Sequence, residues 1–171
     1  PGPFNSWKEQ FSAFVEKTLE GIQTKKLRKY SLIIDRHIRD NLYLLDNVDI
    51  KPCFIHGDYA MSNVLVTKQG VSGLVDLEWA YAGCAESEYS RAETYFFGVT
   101  SPLKYKSKLQ KEFSKSYKIK RLPEYPKRKT LYEAFTCLNE LNAYPWLIES
   151  MTSKQVKEYD QKLELTIEDF Q

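Results

Sequence analysis

The stretch that decides the fold is His56–Asn63 (HGDYAMSN), followed by an apolar run, a glycine turn and then Leu74–Asp76 (LVD). Asp58 and Asn63 share one polar segment, and Asp76 follows the second apolar run. A carboxylate such as that of Asp58 can accept a proton from an attacking hydroxyl. The amide oxygen of Asn63 and the carboxylate of Asp76 are hard ligands that suit magnesium. The three side chains therefore predict a site for metal-assisted phosphoryl transfer.

A β-hairpin is predicted between these polar residues. Residues 63–67 are rich in β-branched side chains, residues 68–70 (KQG) form a turn, and residues 71–76 form a second strand. A hairpin brings the start of one strand close to the end of the other. Asn63 and Asp76 should therefore converge at one end of this hairpin.

Helices are predicted on both sides of the hairpin, from apolar residues at helical spacing and from end signals. The predicted segments are a helix from Trp7 to Gly21 with a capping box at Ser6 and Glu9, one from Thr24 to Asp46-Asn47, one from Glu86 to Phe97 that ends at Gly98, one opened by Ser101-Pro102, one opened by Thr130 and interrupted near Pro145, and one from Ser153. Leu122–Pro126 is predicted to be a loop. The sequence thus predicts a mainly α fold with a small central β-hairpin, in one domain over residues 1–171.

The composition favours a folded globular chain: hydrophobic residues make up 42% and aromatic residues 14%. The net charge of +2 argues against a dedicated nucleic-acid binder, and no apolar run is long enough to span a membrane. Three cysteines without a Cys-x-x-Cys pattern predict reduced thiols in a cytoplasmic protein. No signal peptide is visible at the start of the sequence.

Two charged regions leave alternatives open. The lysine-rich stretch Lys104–Arg121 is either a nucleic-acid patch or a solvated helix face, and its aromatic residues, which share one stripe, favour the solvated face. The acidic residues near the C-terminus either attract a cationic substrate or are ordinary helix-surface charge. They are Glu158, Asp160, Glu164, Glu168 and Asp169.

Each polar residue of the opening stretch also has an ordinary structural interpretation. An Asp in a turn usually forms the turn, and an Asn before a strand is usually a cap. Together, with an apolar strand beside each of them, Asp58, Asn63 and Asp76 favour the catalytic interpretation.

The pattern His56-Gly57-Asp58, Asn63 and Asp76 resembles the catalytic core of the aminoglycoside phosphotransferase family, which includes choline kinases and shares the protein-kinase fold. The resemblance implies that Asp58 is the catalytic base, that Asn63 and Asp76 bind Mg²⁺ and that His56 braces the loop. It implies a kinase that transfers a phosphoryl group from ATP to a hydroxyl of a small molecule. It also implies that the helices form the C-terminal lobe of that fold.

Two features depart from the family. Where the family has an Asp that hydrogen-bonds to the catalytic loop, this chain has Glu88, which we expect to brace the loop with a longer side chain. Glu78 either contacts the metal or substrate or is a solvated strand end. Trp79, with Tyr81 and Tyr89, either forms an aromatic wall near the site or packs in the core.

A third departure concerns the nucleotide. No Gly-x-Gly-x-x-Gly or Walker-type loop occurs in the sequence, and nothing before Ser6 can supply a nucleotide-binding lobe. We therefore expect this chain to be the C-terminal lobe of a longer kinase and to bind ATP poorly alone. The alternative is a non-catalytic binding or scaffold module derived from a kinase lobe.

Overall fold

The computed structural model describes residues 4–46, 48, 51–97, 106–116 and 124–170. The helices are α1 (Trp7–Gly21), α2 (Lys25–Asn41), α3 (Ala85–Phe97), α4 (Lys106–Ser116), α5 (Tyr125–Glu149) and α6 (Ser153–Glu168), and the strands are β1 (Cys53–Ile55), β2 (Val64–Thr67), β3 (Gly70–Leu74) and β4 (Tyr81–Gly83). These elements confirm the prediction of a mainly α fold with a small central hairpin. None of the described helices is both long enough and apolar enough to cross a membrane.

The chain forms two compact units. The central unit comprises residues 49–129 together with 1–2, and the terminal unit comprises residues 3–48 and 130–171. Helix α5 begins in the central unit and continues in the terminal one. The assignment of residues 1–171 to a single domain stays a prediction.

Aromatic rings form much of the core of the terminal unit. The Phe11 ring is 5.2 Å from that of Phe135 and 5.9 Å from that of Tyr132, between ring centroids. Trp7 Nε1 donates a hydrogen bond to the Tyr132 hydroxyl at 3.2 Å. Buried aliphatic side chains complete this core, and they include Ile34, Ile38, Leu138, Leu141, Leu163 and Ile167.

The caps of the terminal unit largely follow the sequence. The side chains of Ser6 and Thr24 accept hydrogen bonds at the starts of α1 and α2, as predicted. The capping box at Ser6 is only half formed, because the Glu9 carboxylate accepts from Asn5 N at 2.8 Å. Helix α6 begins at Ser153 as predicted, and Thr152 supplies a complete capping box there.

The predicted end of α2 at Asp46-Asn47 is wrong. The helix ends at Asn41 and a 3₁₀ turn, Leu42–Leu45, follows it. Asn41 Nδ2 donates to the His37 carbonyl oxygen at 2.8 Å, so the side chain of the last helical residue folds back onto the preceding turn.

The predicted start and interruption of α5 are also wrong. The helix begins at Tyr125 instead of Thr130 and continues through Pro145 to Glu149. Pro126 fits because it lies in the first turn, where a backbone N–H is not needed. Pro145 removes only one backbone hydrogen bond of the helix, the one that an N–H at this position would donate to the Leu141 carbonyl.

The predicted loop Leu122–Pro126 is wrong at its last two residues, because Tyr125 and Pro126 are helical. Leu122 and Pro123 lie outside the described residues, and Glu124 is a turn residue directly before the helix. The predicted helix end at Gly98 and the predicted helix start at Ser101-Pro102 also lie outside the described residues.

The central unit contains two antiparallel strand pairs. Strands β2 and β3 form the predicted hairpin, with Val64 opposite Leu74. Strand β3 ends at Leu74 and not at Asp76 as predicted, since the φ of 64° at Asp76 is incompatible with a strand. Strand β1 pairs with β4, which the sequence analysis missed because its three residues are too few to show an alternating pattern.

Helix α3 packs beside β1 and joins α4 through aromatic side chains. Tyr89 is buried and stacks on Phe113 with a centroid distance of 5.7 Å, and its hydroxyl lies 2.6 Å from Ser114 Oγ. Phe96 also packs against Phe113, at 6.2 Å. For Tyr89, core packing is thus the interpretation that the structure supports.

Candidate active site

The segment His56–Asn63 is an irregular loop that connects the end of β1 to the start of β2. Gly57 adopts a φ of 78°, which favours glycine. A Cβ atom at this position would lie 2.2 Å from the backbone oxygen of Trp79, so the space also excludes a side chain. The loop can therefore turn here only because residue 57 is glycine.

His56 ties this loop to the segment that follows β3. Its side chain is buried, and its Nε2 lies 2.9 Å from the carbonyl oxygen of Val75. Because a carbonyl can only accept, Nε2 carries the proton and Nδ1 is an acceptor. Asp58 N is placed to donate to that Nδ1, at 3.4 Å. The imidazole therefore bridges the loop and the end of the hairpin, and the bracing role of His56 stays a prediction.

Glu88 holds the backbone of the loop from α3. Its Oε1 accepts from His56 N at 2.8 Å and its Oε2 accepts from Gly57 N at 3.3 Å. Burial raises the pKa of this carboxyl above its usual value, and the two N–H groups and the nearby Arg91 oppose the shift. The longer side chain of Glu88 thus reaches the two N–H groups directly.

Asp58 and Asn63 are brought into contact within the loop. Asn63 Nδ2 donates to the Asp58 carbonyl oxygen at 2.9 Å and to Asp58 Oδ2 at 3.1 Å. Asn63 is buried, whereas 39% of the Asp58 side chain is exposed. Since Asn63 uses its nitrogen on Asp58, its amide oxygen is turned towards Ser62 Oγ, at 3.3 Å. Asp58 can therefore meet a substrate while its orientation is controlled from inside the loop.

Asp76 lies at the same end of the hairpin as Asn63. Val75 N donates to Asn63 O at 3.0 Å, which extends the strand pairing up to the residue before Asp76. The exposed Asp76 has the only positive φ among the described non-glycine residues. Such a backbone conformation is uncommon and concentrates at functional sites.

The types of donor atom at this end of the hairpin are those that Mg²⁺ prefers, and binding of the ion stays a prediction. Within the described residues, no group of three or more His, Cys, Asp or Glu side chains is placed to hold a metal. The pair Asn63 and Asp76 instead offers one amide oxygen and one carboxylate. Mg²⁺ takes few protein ligands of this type and keeps water and substrate phosphates in its other positions.

Glu78 and Trp79 both have exposed side chains, and Trp79 is 63% exposed. The backbone of Trp79 lies against Gly57, which places this residue beside the loop. Contacts of these two side chains with metal or substrate stay predictions.

Arg91 is a residue of this site that no sequence motif indicated. Its Nη2 donates to Asp58 Oδ1 at 3.1 Å, and its guanidinium carbon lies 5.1 Å from the centroid of the Tyr95 ring. The spacing in the sequence could have indicated it, because residues three apart on a helix share a face and Arg91 follows Glu88 by three positions.

The acidic residues near the C-terminus are partly engaged within the terminal unit. Asp160 accepts hydrogen bonds from Lys26 and Tyr144, and Glu164 accepts one from Tyr30. These contacts favour a structural role for the two carboxylates over attraction of a cationic substrate.

The loop and hairpin agree with the class of small-molecule kinases that have the protein-kinase-like fold, and a family match assigns the chain to that class. The sequence model of the fructosamine kinase family matches residues 3–161, so the chain belongs to the fructosamine kinase family. The resemblance to aminoglycoside phosphotransferases therefore holds for the superfamily, not for that particular family. No curated protein and no solved structure matches the chain significantly.

Proposed function

We propose that this chain carries the catalytic loop of an ATP-dependent kinase that phosphorylates a hydroxyl group of a fructosamine, a conjugate of a sugar and an amine. The family match supports this class of substrate. The observation that carries the proposal is the loop itself, in which buried Glu88 holds the backbone before Asp58 and buried Asn63 holds the partly exposed Asp58 side chain. A base held in this way suits proton transfer from an incoming hydroxyl.

In this mechanism Asp58 accepts the proton of the attacking hydroxyl. A carboxylate has about four acceptor positions, so the bonds from Asn63 and Arg91 leave room for the substrate. Glu88 and His56 keep the loop backbone in place during the transfer. Positioning of this kind supplies much of the rate acceleration in phosphoryl transfer.

The proposal includes Mg²⁺ and ATP. Asn63 and Asp76 would hold the metal, which when bound neutralises charge on the phosphate oxygens. Glu78 and Trp79 are the nearest candidates in sequence for further contacts with metal or substrate. We further propose that this chain acts as a C-terminal lobe, because its sequence contains no glycine-rich loop of the Gly-x-Gly-x-x-Gly or Walker type.

Loss of the family's bracing Asp would favour the non-catalytic alternative. Glu88, which stands in its place, makes two hydrogen bonds to the loop backbone and therefore speaks for the catalytic proposal. The same proposal includes a small molecule as the partner, with neither nucleic acid nor a membrane involved. It also places the protein in the cytoplasm. Within the described residues Cys53, Cys84 and Cys137 form no disulfide bond, which supports a reducing compartment.

The test uses the full reading frame that encodes this chain. It is incubated with ATP, Mg²⁺ and a fructosamine, an aminoglycoside or choline, and phosphate transfer is followed by ³¹P NMR and mass spectrometry. We expect phosphorylation of the fructosamine. Transfer to a different acceptor alone would contradict the substrate class, and the absence of transfer and of ATP binding would favour the scaffold alternative.

A further inference from the structure

Arg91 is the cation that the structure places on the Asp58 carboxylate. Its Nη2 lies 3.1 Å from Asp58 Oδ1, and only 18% of its side chain is exposed. The ring of Tyr95, one turn further along α3, supports the guanidinium. Arg91 Nε is buried and has no hydrogen-bond partner among the described residues. The contact with Asp58 is thus the principal polar contact of this guanidinium.

Both oxygens of the Asp58 carboxylate are held. Asn63 Nδ2 donates to Oδ2 and Arg91 Nη2 donates to Oδ1, each at 3.1 Å. Donors at both oxygens oppose rotation of the carboxylate about its terminal torsion, which is otherwise broad. Each oxygen keeps a further lone pair for the hydroxyl of an acceptor.

The loop itself cannot supply this positive charge. Residues 59–62 (YAMS) between Asp58 and Asn63 contain neither Lys nor Arg. The charge comes instead from α3, which also provides Glu88 for the loop backbone. One face of α3 therefore fixes both the backbone of the loop and the side chain of its carboxylate.

We propose that Arg91 is a positioning residue that fixes the orientation of the Asp58 carboxylate for attack by the acceptor hydroxyl. The inference rests on the proposed function, in which Asp58 is the base. Since Arg91 acts on Asp58 and not on the substrate, its removal lowers kcat and leaves the KM for the acceptor unchanged. A residue that only stabilises the fold would not produce this separation.

The experiment compares Arg91→Met with the wild type in the full reading frame, with a fructosamine as acceptor. Misplacement of a catalytic group costs on the order of 100-fold, so we expect kcat to fall by roughly 10-fold to 100-fold. Arg91→Gln keeps a similar length and removes the charge, and its kcat should fall as well. Added guanidinium should partly restore the kcat of Arg91→Ala but not that of Asp58→Asn.

The matched control is Arg39→Met, which removes another arginine paired with an aspartate, at 2.8 Å from Asp35 in α2. It should keep the wild-type kcat. Wild-type kcat in either folded Arg91 variant would overturn the inference, and so would a raised KM at unchanged kcat, which would indicate substrate binding. A wild type that does not phosphorylate the fructosamine would instead overturn the proposed function.

Discussion

The two units of this chain are stabilised in different ways. The terminal unit has an apolar core in which Phe11 packs against Tyr132 and Phe135. The central unit places buried polar groups around its loop, above all Glu88 and His56. Apolar packing has little directionality, whereas hydrogen bonds fix donor and acceptor positions. We therefore expect substitutions in the terminal unit to change stability, and those around the loop to change catalysis as well.

A buried ion pair is a further example of polar groups that hold the central unit. Arg128 donates to both carboxylate oxygens of Glu86, at 2.8 and 3.0 Å, and both side chains are nearly inaccessible. Such a pair is weak evidence for net stability, because desolvation opposes the Coulomb attraction. The pair joins the first turn of α3 to the start of α5. Within α3, Glu86 precedes Glu88 by two residues. The geometric effect of the pair is to fix the part of α3 that carries Glu88.

The largest expected effect on stability is that of Phe11→Ala in the terminal unit. Removing a buried aromatic ring lowers the free energy of unfolding by about 3–5 kcal/mol. Urea unfolding followed by circular dichroism measures the change. The control is Phe54→Ala in β1, where the ring is 64% exposed and the change should stay within about 0.5 kcal/mol. Equal effects of the two substitutions would break the comparison between the units.

Glu88→Gln should have a smaller effect on stability and a clear effect on turnover. The amide nitrogen of the new side chain cannot accept a hydrogen bond, so one of the two N–H groups of the loop loses its partner. This should lower the free energy of unfolding by about 1–3 kcal/mol. We expect kcat to fall at temperatures where the variant is folded. The control Glu112→Gln changes an exposed glutamate of α4 and should alter neither quantity. Unchanged kcat in Glu88→Gln would show that the loop does not need this brace.

The smallest effect concerns alkaline pH in the terminal unit. The hydrogen bond from the Tyr30 hydroxyl to Glu164 Oε1, at 2.6 Å, is the main cause that raises the Tyr30 pKa to about 12. Because the pKa in the folded state exceeds the unfolded value, the stabilisation is complete below pH 10 and is lost as pH rises towards 12. Tyr30→Phe should therefore reduce the fall in unfolding free energy over this range.

Chemical unfolding at several pH values between 9 and 12 measures this difference. Tyr43→Phe, which changes an exposed tyrosine, is the control and should keep the pH dependence of the wild type. If Tyr30→Phe also kept it, the hydrogen bond to Glu164 would not account for the alkaline response.

Local chemistry explains what could be predicted from the sequence. The hairpin and the convergence of Asn63 and Asp76 follow from two apolar runs and a turn within about twenty residues of chain. The caps of α1, α2 and α6 likewise depend on neighbours in sequence. Each of these features is decided by residues that are close along the chain.

The remaining features depend on contacts that are distant in sequence. Strand β4 is defined by its pairing with β1, and buried Arg128 is paired with Glu86, 42 residues earlier in the chain. The contact of Arg91 with Asp58 likewise joins residues that are 33 positions apart. Propensity and spacing carry little information about such pairs, since tertiary structure brings them together.

The most direct test of the account is the kcat of Asp58→Asn in the full reading frame, with ATP and a fructosamine. The substitution keeps the size of the side chain and removes the base, so kcat should fall by roughly 100-fold to 10,000-fold. The control is Asp46→Asn, which weakens an exposed ion pair with Lys8 in the terminal unit and should retain wild-type turnover. Turnover of Asp58→Asn at the wild-type rate would contradict the assignment of Asp58 as the catalytic base.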